Sequence, residues 1–461
     1  MRPKREAPFR VDATDERPGE IRTMAIVAAI AGNALEWYDF IVYAFLAVFI
    51  AKNFFAPGNE TQALLATLAT FALTFMVRPI GGILIGLYAD RSGRRAALTL
   101  IMGSMTVAML IMVLVPTYAS IGPASTILML VARLVQAASA GGEFASASTY
   151  LLESVPEQRR GLYAGLYSAG PSLALVLAGI VGLALAEGMS AEARDSWGWR
   201  VPFAIGLLIA PLAFYIRRNL PETPAFAHSR ERRPPVRLMA LFRRHSLGIV
   251  VGIALASIVN GAAYILLVYA PTYVVRTLKL PLYVSFLTLI IGGSVSMLCT
   301  PLVGMLADRI GALRIFVVGS CALLVCAVPL YGWLNSPPSI EKLMVCTVVF
   351  SFITAIYTSV LPTVMAFMFP VEWRSTGMSI SYNTSSAVFG GGSLYFVTLL
   401  IEKTHSSLVP AYYLLAIAAI CLIIVMRFYA RVRDSATIDR ARIDQQKAAP
   451  THASTKVTVI E

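Results

Sequence analysis

The sequence predicts an all-α membrane protein with twelve transmembrane helices in two six-helix halves. Three observations predict it. First, runs of about 20 apolar residues, the length that crosses a bilayer as a helix, recur along nearly all of the 461 residues. The chain is 57% hydrophobic and 14% charged, with mean hydropathy +0.72, whereas a soluble domain is nearer one quarter charged. Second, the basic residues alternate between loops. The N-terminus, the even-numbered loops and the C-terminus hold 29 of the 38 Lys and Arg, and the odd-numbered loops hold 7. That asymmetry places both termini in the cytoplasm. Third, the longest interior polar segment, "RRNLPETPAFAHSRERRPPVRLMALFRRH" (Arg217–His245), carries eight arginines and divides the spans six and six.

Residues 1–23 are polar and read as a cytoplasmic segment, because the first apolar run is too long for the apolar core of a signal peptide. The N-terminal half covers 24–216, with spans at 24–50, 61–88, 96–116, 123–152, 162–187 and 199–216. The first span holds "GNALEWYDF" (Gly32–Phe40), with Glu36 and Asp39 where an ionised carboxylate costs several kcal/mol. Asn33, Glu36, Asp39 and Tyr43 are spaced by three, three and four, so they share one helical face. Asp39 lies somewhat past the middle of the run, ~22 Å along it by helical rise. Arg78 in the second span is nine residues from its cytoplasmic end at Leu87, ~13 Å deep. There it either snorkels or forks a substrate carboxylate, since a guanidinium matches a carboxylate in two-pronged fashion. The fourth span carries Arg133 and, ten residues on, Glu143. Arg200 in "WGWRVP" marks the outer start of the sixth span, where Trp and Arg anchor helices at the interface.

The cytoplasmic linker spans 217–245, the C-terminal half 246–429 and a cytoplasmic tail 430–461. The second set of spans falls at 246–275, 282–307, 313–334, 341–369, 375–401 and 408–429. Its first span has no acidic residue at its core. Polar and aromatic groups appear instead in this half, among them Asn260, Tyr264, Tyr382 and Asn383. The halves share a loop repeat. Gly86, Asp90, Arg91 and Gly93 of "GLYADRSGRR", which continues with Arg94, match Gly304, Asp308, Arg309 and Gly311 of "GMLADRIGALR" at one constant offset. Each copy follows the second span of its half, which reads as a duplicated six-helix unit. The Asp suits a helix start and the arginines suit pairing with a neighbouring helix end, so these residues are candidates for conformational gating.

The inventory excludes several classes. No Walker A pattern occurs, the four histidines lie in loops or tails, and the five cysteines lie within apolar spans. No cofactor, no metal centre and no enzyme are therefore expected. The net charge of +13 reports topology rather than a nucleic-acid partner. Two halves with unlike charged residues suit a rocking carrier better than a symmetric pore.

"RPIGGILIGLYADRSGRR" (Arg78–Arg95) resembles the loop signature of the major facilitator superfamily. "GNALEWYDF", "RLVQAASAGGEFASASTYLLESVPEQRRG" (Arg133–Gly161), "WGWRVPF" (Trp197–Phe203) and "FPVEWRSTGMSISYNTSSAVFGG" (Phe369–Gly391) are similar to its metabolite:proton symporter branch. That branch includes carriers of α-ketoglutarate, citrate, shikimate, proline and betaine. Ala137 stands where the branch usually has Gly, and the fifth span reads "GLYSAGPS" where a Gln pair is common. The tail shows no heptads, unlike osmosensing proline/betaine carriers.

The resemblance implies a proton-coupled symporter in the bacterial inner membrane, monomeric, surrounded by lipid, taking up a small organic acid with protons by alternating access. A zwitterion such as proline or betaine is the alternative substrate. By resemblance to sugar–proton carriers of the superfamily, Asp39 and Arg133 face each other as the proton couple, with Glu36 the rival carrier and Glu143 a further candidate. A static ion pair that fixes packing is the competing reading. The candidate substrate contacts are Arg78, Asn33, Tyr43, Tyr264, Tyr382 and Asn383.

Overall fold

The computed structural model describes residues 18–55, 60–92, 94–208, 238–369 and 374–448. Among the described residues the chain is helical with no strands. Nine helices among the described residues are long and apolar enough to span a bilayer, and a bent pair makes a tenth. The remaining two expected spans are a shorter apolar helix, Leu100–Leu114, and residues 200–208, where description of the sixth span stops.

The first span is α1 (Pro18–Phe45) and α2 (Ala47–Phe54), bent by 65° at Leu46. Next come α3 (Glu60–Ser92) and α4 (Arg94–Leu114). The fourth span divides into α5 (Pro123–Ala140) and α6 (Glu143–Ser154) at Gly141 and Gly142. The fifth is α7 (Arg160–Gly188), and α8 (200–208) opens the sixth. Arg200 Nε and Nη2 donate to the carbonyls of Val113 (3.1 Å) and Val115 (2.9 Å), satisfying acceptors that the end of α4 leaves open.

Most of the basic linker, up to residue 237, lies outside the described residues. Its last residues belong to α9 (Leu238–Ala263), which kinks at His245 (φ −124°, ψ 24°) before the seventh span begins. A π-helical turn, Tyr264–Val268, joins α9 to α10 (Ala270–Arg276). Then follow α11 (Leu282–Ile310), α12 (Ala312–Leu334), and α13 (Ile340–Thr358) with α14 (Leu361–Ala366). The eleventh span is α15 (Arg374–Ser385), a π-helical turn Ser386–Gly391, and α16 (Gly392–Thr404). The last helix, α17 (Val409–Ala448), runs well past its span. The sequence explains this, since neither Gly nor Pro occurs between Pro410 and Pro450.

The distribution of side chains is that of a protein dissolved in hydrocarbon. Large apolar groups such as Leu84, Val325, Ile423 and Met426 face outward, while Glu36, Asp39, Arg78, Arg133, Gln136 and Glu143 are buried. Helices satisfy their own backbone, so an apolar exterior suits lipid, and the polar groups gather where helices meet.

The most extensive helix–helix packing is between α7 and α11, one from each half. Gly161 and Gly304 face each other there, and a Cβ on either would strike the other's carbonyl. Glycine at both positions permits the close backbone approach.

Candidate functional site

The polar face of α1 forms the centre of the site. A three-residue step turns a helix by about 300°, so Glu36 and Asp39 point roughly 60° apart. That angle aims them at different helices. Arg78 of α3 donates from Nη2 to Glu36 Oε1 at 2.7 Å. Arg133 of α5 donates from Nη1 to Asp39 Oδ2 at 2.7 Å and to Gln136 Oε1 at 2.5 Å. Both pairs are excluded from solvent, with side chains 0–7% exposed. The Arg133 guanidinium lies 3.9 Å from the Tyr43 ring centroid, and that of Arg78 lies 4.1 Å from Phe40 and 4.6 Å from Phe75. Aromatic faces thus supply part of the solvation that water would give. Removing one member of such a pair leaves an uncompensated buried charge, at about 3–5 kcal/mol.

Beside this layer lies a central cavity between the halves. Asn33, Trp37 and Ser168 contribute from the N-terminal half, and Asn260, Thr300 and Tyr382 from the other. It offers about 80 Å³ to the centres of water molecules, room for several waters at roughly 10–15 Å³ each. Its walls are neutral: among the described residues no Asp, Glu, Lys or Arg lines it. The charges sit one layer behind. Trp37 lines the cavity and packs on Tyr264 (5.6 Å), Tyr264 packs on Phe75 (5.3 Å), and Phe75 supports Arg78.

Contacts between the halves lie on both sides of the cavity. On the side of the basic loops, Asp308 of α11 accepts from the backbone N–H groups of Gly161 (2.6 Å) and Leu162 (3.0 Å) at the start of α7. A carboxylate there complements the positive end of the helix. Nearer the cavity, Phe144 of α6 stacks on Tyr382 of α15 with centroids 3.7 Å apart. Asn383 Nδ2 donates to the Gly141 carbonyl at 2.7 Å. On the opposite side, Phe45 of α1 meets Phe286 of α11 edge-on at 5.3 Å.

The structure thus brings together Asp39 with Arg133, and Glu36 with Arg78. The second pairing was not read from the sequence, and it makes Arg78 a buried, paired group rather than a snorkelling one. Asn33 lines the cavity and donates from Nδ2 to the Tyr167 carbonyl (3.2 Å). Of the other candidate substrate contacts, Tyr382 lines the cavity. Tyr43 lies beneath Arg133, Tyr264 stands behind Trp37, and Asn383 ties the halves together. Glu143 is buried at the start of α6. Asp308 caps α7, and Arg309 is exposed. Gly93 lies outside the described residues, and at Gly86, Asp90, Arg91 and Arg94 only the helical backbone is described.

Sequence reasoning missed Trp37, Phe144, Ser168 and Thr300. They are ordinary apolar or small polar residues within apolar spans, and only their convergence marks them. Gln136 lies within the Arg133–Gly161 stretch, with no role evident from residue type alone. Its position one turn beyond Arg133 was the available signal.

The sequence model of the Major Facilitator Superfamily matches residues 28–393. The chain is 33% identical over 442 residues to a citrate-proton symporter of Klebsiella pneumoniae, covering 96% of this chain and 98% of that protein. It is 32% identical over 404 residues to a putative proline/betaine transporter of Staphylococcus aureus, covering 87% and 86% respectively. Among solved structures it is similar to a proton:xylose symporter, XylE, bound to a halogenated glucose, with TM-score 0.75 at 17% identity over 90% of this chain and 97% of that one. A partially occluded inward-open form of the E. coli xylose transporter gives 0.71 at 18% identity, over 89% and 98%.

Proposed function

The chain belongs to the Major Facilitator Superfamily, and from that premise we propose that it is a proton-coupled symporter of a small organic acid. The observation that carries the reading is the layered site: two buried carboxylate–arginine pairs stand behind a cavity between the halves that is lined by uncharged residues. Relatives at about one-third identity named as citrate-proton symporters support the substrate class.

In this mechanism the halves rock about the cavity by alternating access. A carboxylate in a dry site favours its neutral form, and a nearby guanidinium favours its charged form. A pair that forms in one conformation and opens in another therefore takes up and releases a proton once per cycle. Asp39 with Arg133 fills that role, with Gln136 and Tyr43 holding the guanidinium in place. Glu36 with Arg78 is the second pair, nearer the Trp37 wall. Asp308 at the start of α7 and Asn383 at Gly141 are contacts that must break for the basic-loop side to open. Cotransported protons offset the charge of an anionic substrate against an inside-negative potential, ~2.3 kcal/mol per charge per 100 mV. Both termini and the 217–245 linker lie in the cytoplasm in this reading, and one chain suffices for transport.

A zwitterion such as proline or betaine is the second reading. The neutral cavity wall and relatives named as a putative proline/betaine transporter and an ectoine/proline transporter favour it. Uptake into proteoliposomes under an imposed inward pH gradient decides between the two. Labelled citrate should accumulate and collapse with a protonophore. Accumulation of proline or betaine, with no uptake of any carboxylic acid, would select the second reading.

A further inference from the structure

Three polar atoms at the cavity have no protein partner among the described residues: Asn260 Oδ1, Thr300 Oγ1 and Thr358 Oγ1. Buried polar atoms are almost always paired, so three at one cavity point to a ligand. Asn260 is 1% exposed and Thr300 also 1%.

The two threonines depart from the local habit. Thr347, Thr354 and Thr398 each return their hydroxyl to the carbonyl four residues back, at 2.7–2.8 Å. Thr300 and Thr358 do not, so their hydroxyls are left to donate or accept elsewhere.

The orientation of Asn260 is fixed by its neighbours. Its Nδ2 donates to the Ala256 carbonyl at 3.1 Å and lies 3.4 Å from Ser385 Oγ. A carbonyl only accepts, so the amide cannot turn over without placing two oxygens together. Oδ1 is therefore a fixed acceptor. An ionised carboxylate cannot satisfy it, because it too only accepts. A hydroxyl satisfies it.

We propose that Asn260, Thr300 and Thr358 form a subsite on the C-terminal side of the cavity that reads a hydroxyl group beside a carboxylate. The threonine hydroxyls donate to the carboxylate and Asn260 Oδ1 accepts from the hydroxyl, so the preferred substrate is a hydroxylated organic acid. This rests on the organic-acid reading and narrows it. Discrimination comes from the buried acceptor: the analogue lacking the hydroxyl leaves Oδ1 unpaired.

The test is competition in proteoliposomes under a pH gradient, using two pairs of acids that differ by the hydroxyl: citrate against tricarballylate, and malate against succinate. In the wild type the hydroxylated member of the transported pair should compete at least roughly tenfold better. Asn260→Leu, which keeps the bulk and removes the acceptor, should bring the ratio to within about threefold. Thr300→Val should weaken both members alike and keep the ratio. Equal competition by both members in the wild type overturns the proposal without any variant, as does a preference that survives Asn260→Leu. If acids accumulate without regard to the hydroxyl, this proposal alone falls. If no acid accumulates while proline or betaine does, the organic-acid reading falls and takes the proposal with it.

Discussion

Asp39→Asn replaces one carboxylate oxygen with an amide of the same size, at a position with no solvent exposure. The variant mimics a permanently protonated Asp39. Arg133 keeps Gln136 at 2.5 Å and the Tyr43 ring at 3.9 Å, and the asparagine carbonyl still accepts its Nη1 bond. The stability loss should therefore fall below the ~3–5 kcal/mol of a fully abandoned buried partner. The transport loss is larger in consequence. One coupled proton and a gradient of one pH unit supply ~1.4 kcal/mol, about tenfold accumulation. Asp39→Asn should forfeit that factor and equilibrate substrate without concentrating it. Exchange of labelled for unlabelled substrate should persist, because exchange needs rocking of the loaded carrier but no net proton release. The assay is proton-driven uptake beside counterflow exchange, in proteoliposomes with equal amounts of protein. Glu36→Gln is the matched comparison. If Asp39→Asn accumulates substrate as the wild type does while Glu36→Gln does not, the Glu36–Arg78 pair carries the proton. If both variants accumulate normally, both pairs are structural and Glu143 is the remaining buried carboxylate among the described residues to test.

Arg78→Lys retains the charge but loses the flat guanidinium that rests on the rings of Phe40 and Phe75. It should cost about 1–2 kcal/mol by losing desolvated cation–π contact, read as a lower Tm in detergent, and the same Tm as wild type would refute the stacking role. Asp308→Asn removes the charge from the acceptor of two backbone N–H bonds at the start of α7. Hydrogen bonds to charged groups contribute about 1.5–3 kcal/mol each, so the variant should spend more time open on the basic-loop side. A thiol reagent should then modify a cysteine placed at Ser168 several-fold faster from the cytoplasm, whereas an unchanged rate would remove Asp308 from the gate.

Much of this protein was legible in the order of its residues. Transfer into hydrocarbon depends on residue type, so apolar run length marked the spans. The same transfer cost singled out Glu36, Asp39, Arg78, Arg133 and Glu143, because a charge inside a span needs a partner. What the sequence could not assign was which charge meets which. Glu36 and Asp39 share a polar face of α1, yet the three-residue step between them turns one toward α3 and the other toward α5. That choice depends on where neighbouring helices stand, which is a matter of packing at glycines such as Gly141, set against the backbone of Arg78. The neutral cavity was hidden for a related reason. A threonine or asparagine within a helix usually bonds to its own backbone, so nothing in one dimension separates Thr354, which does, from Thr300, which does not. Only the convergence of α1, α7, α9, α11 and α13 on one space, with the charges held one layer back, turns those residues into a site.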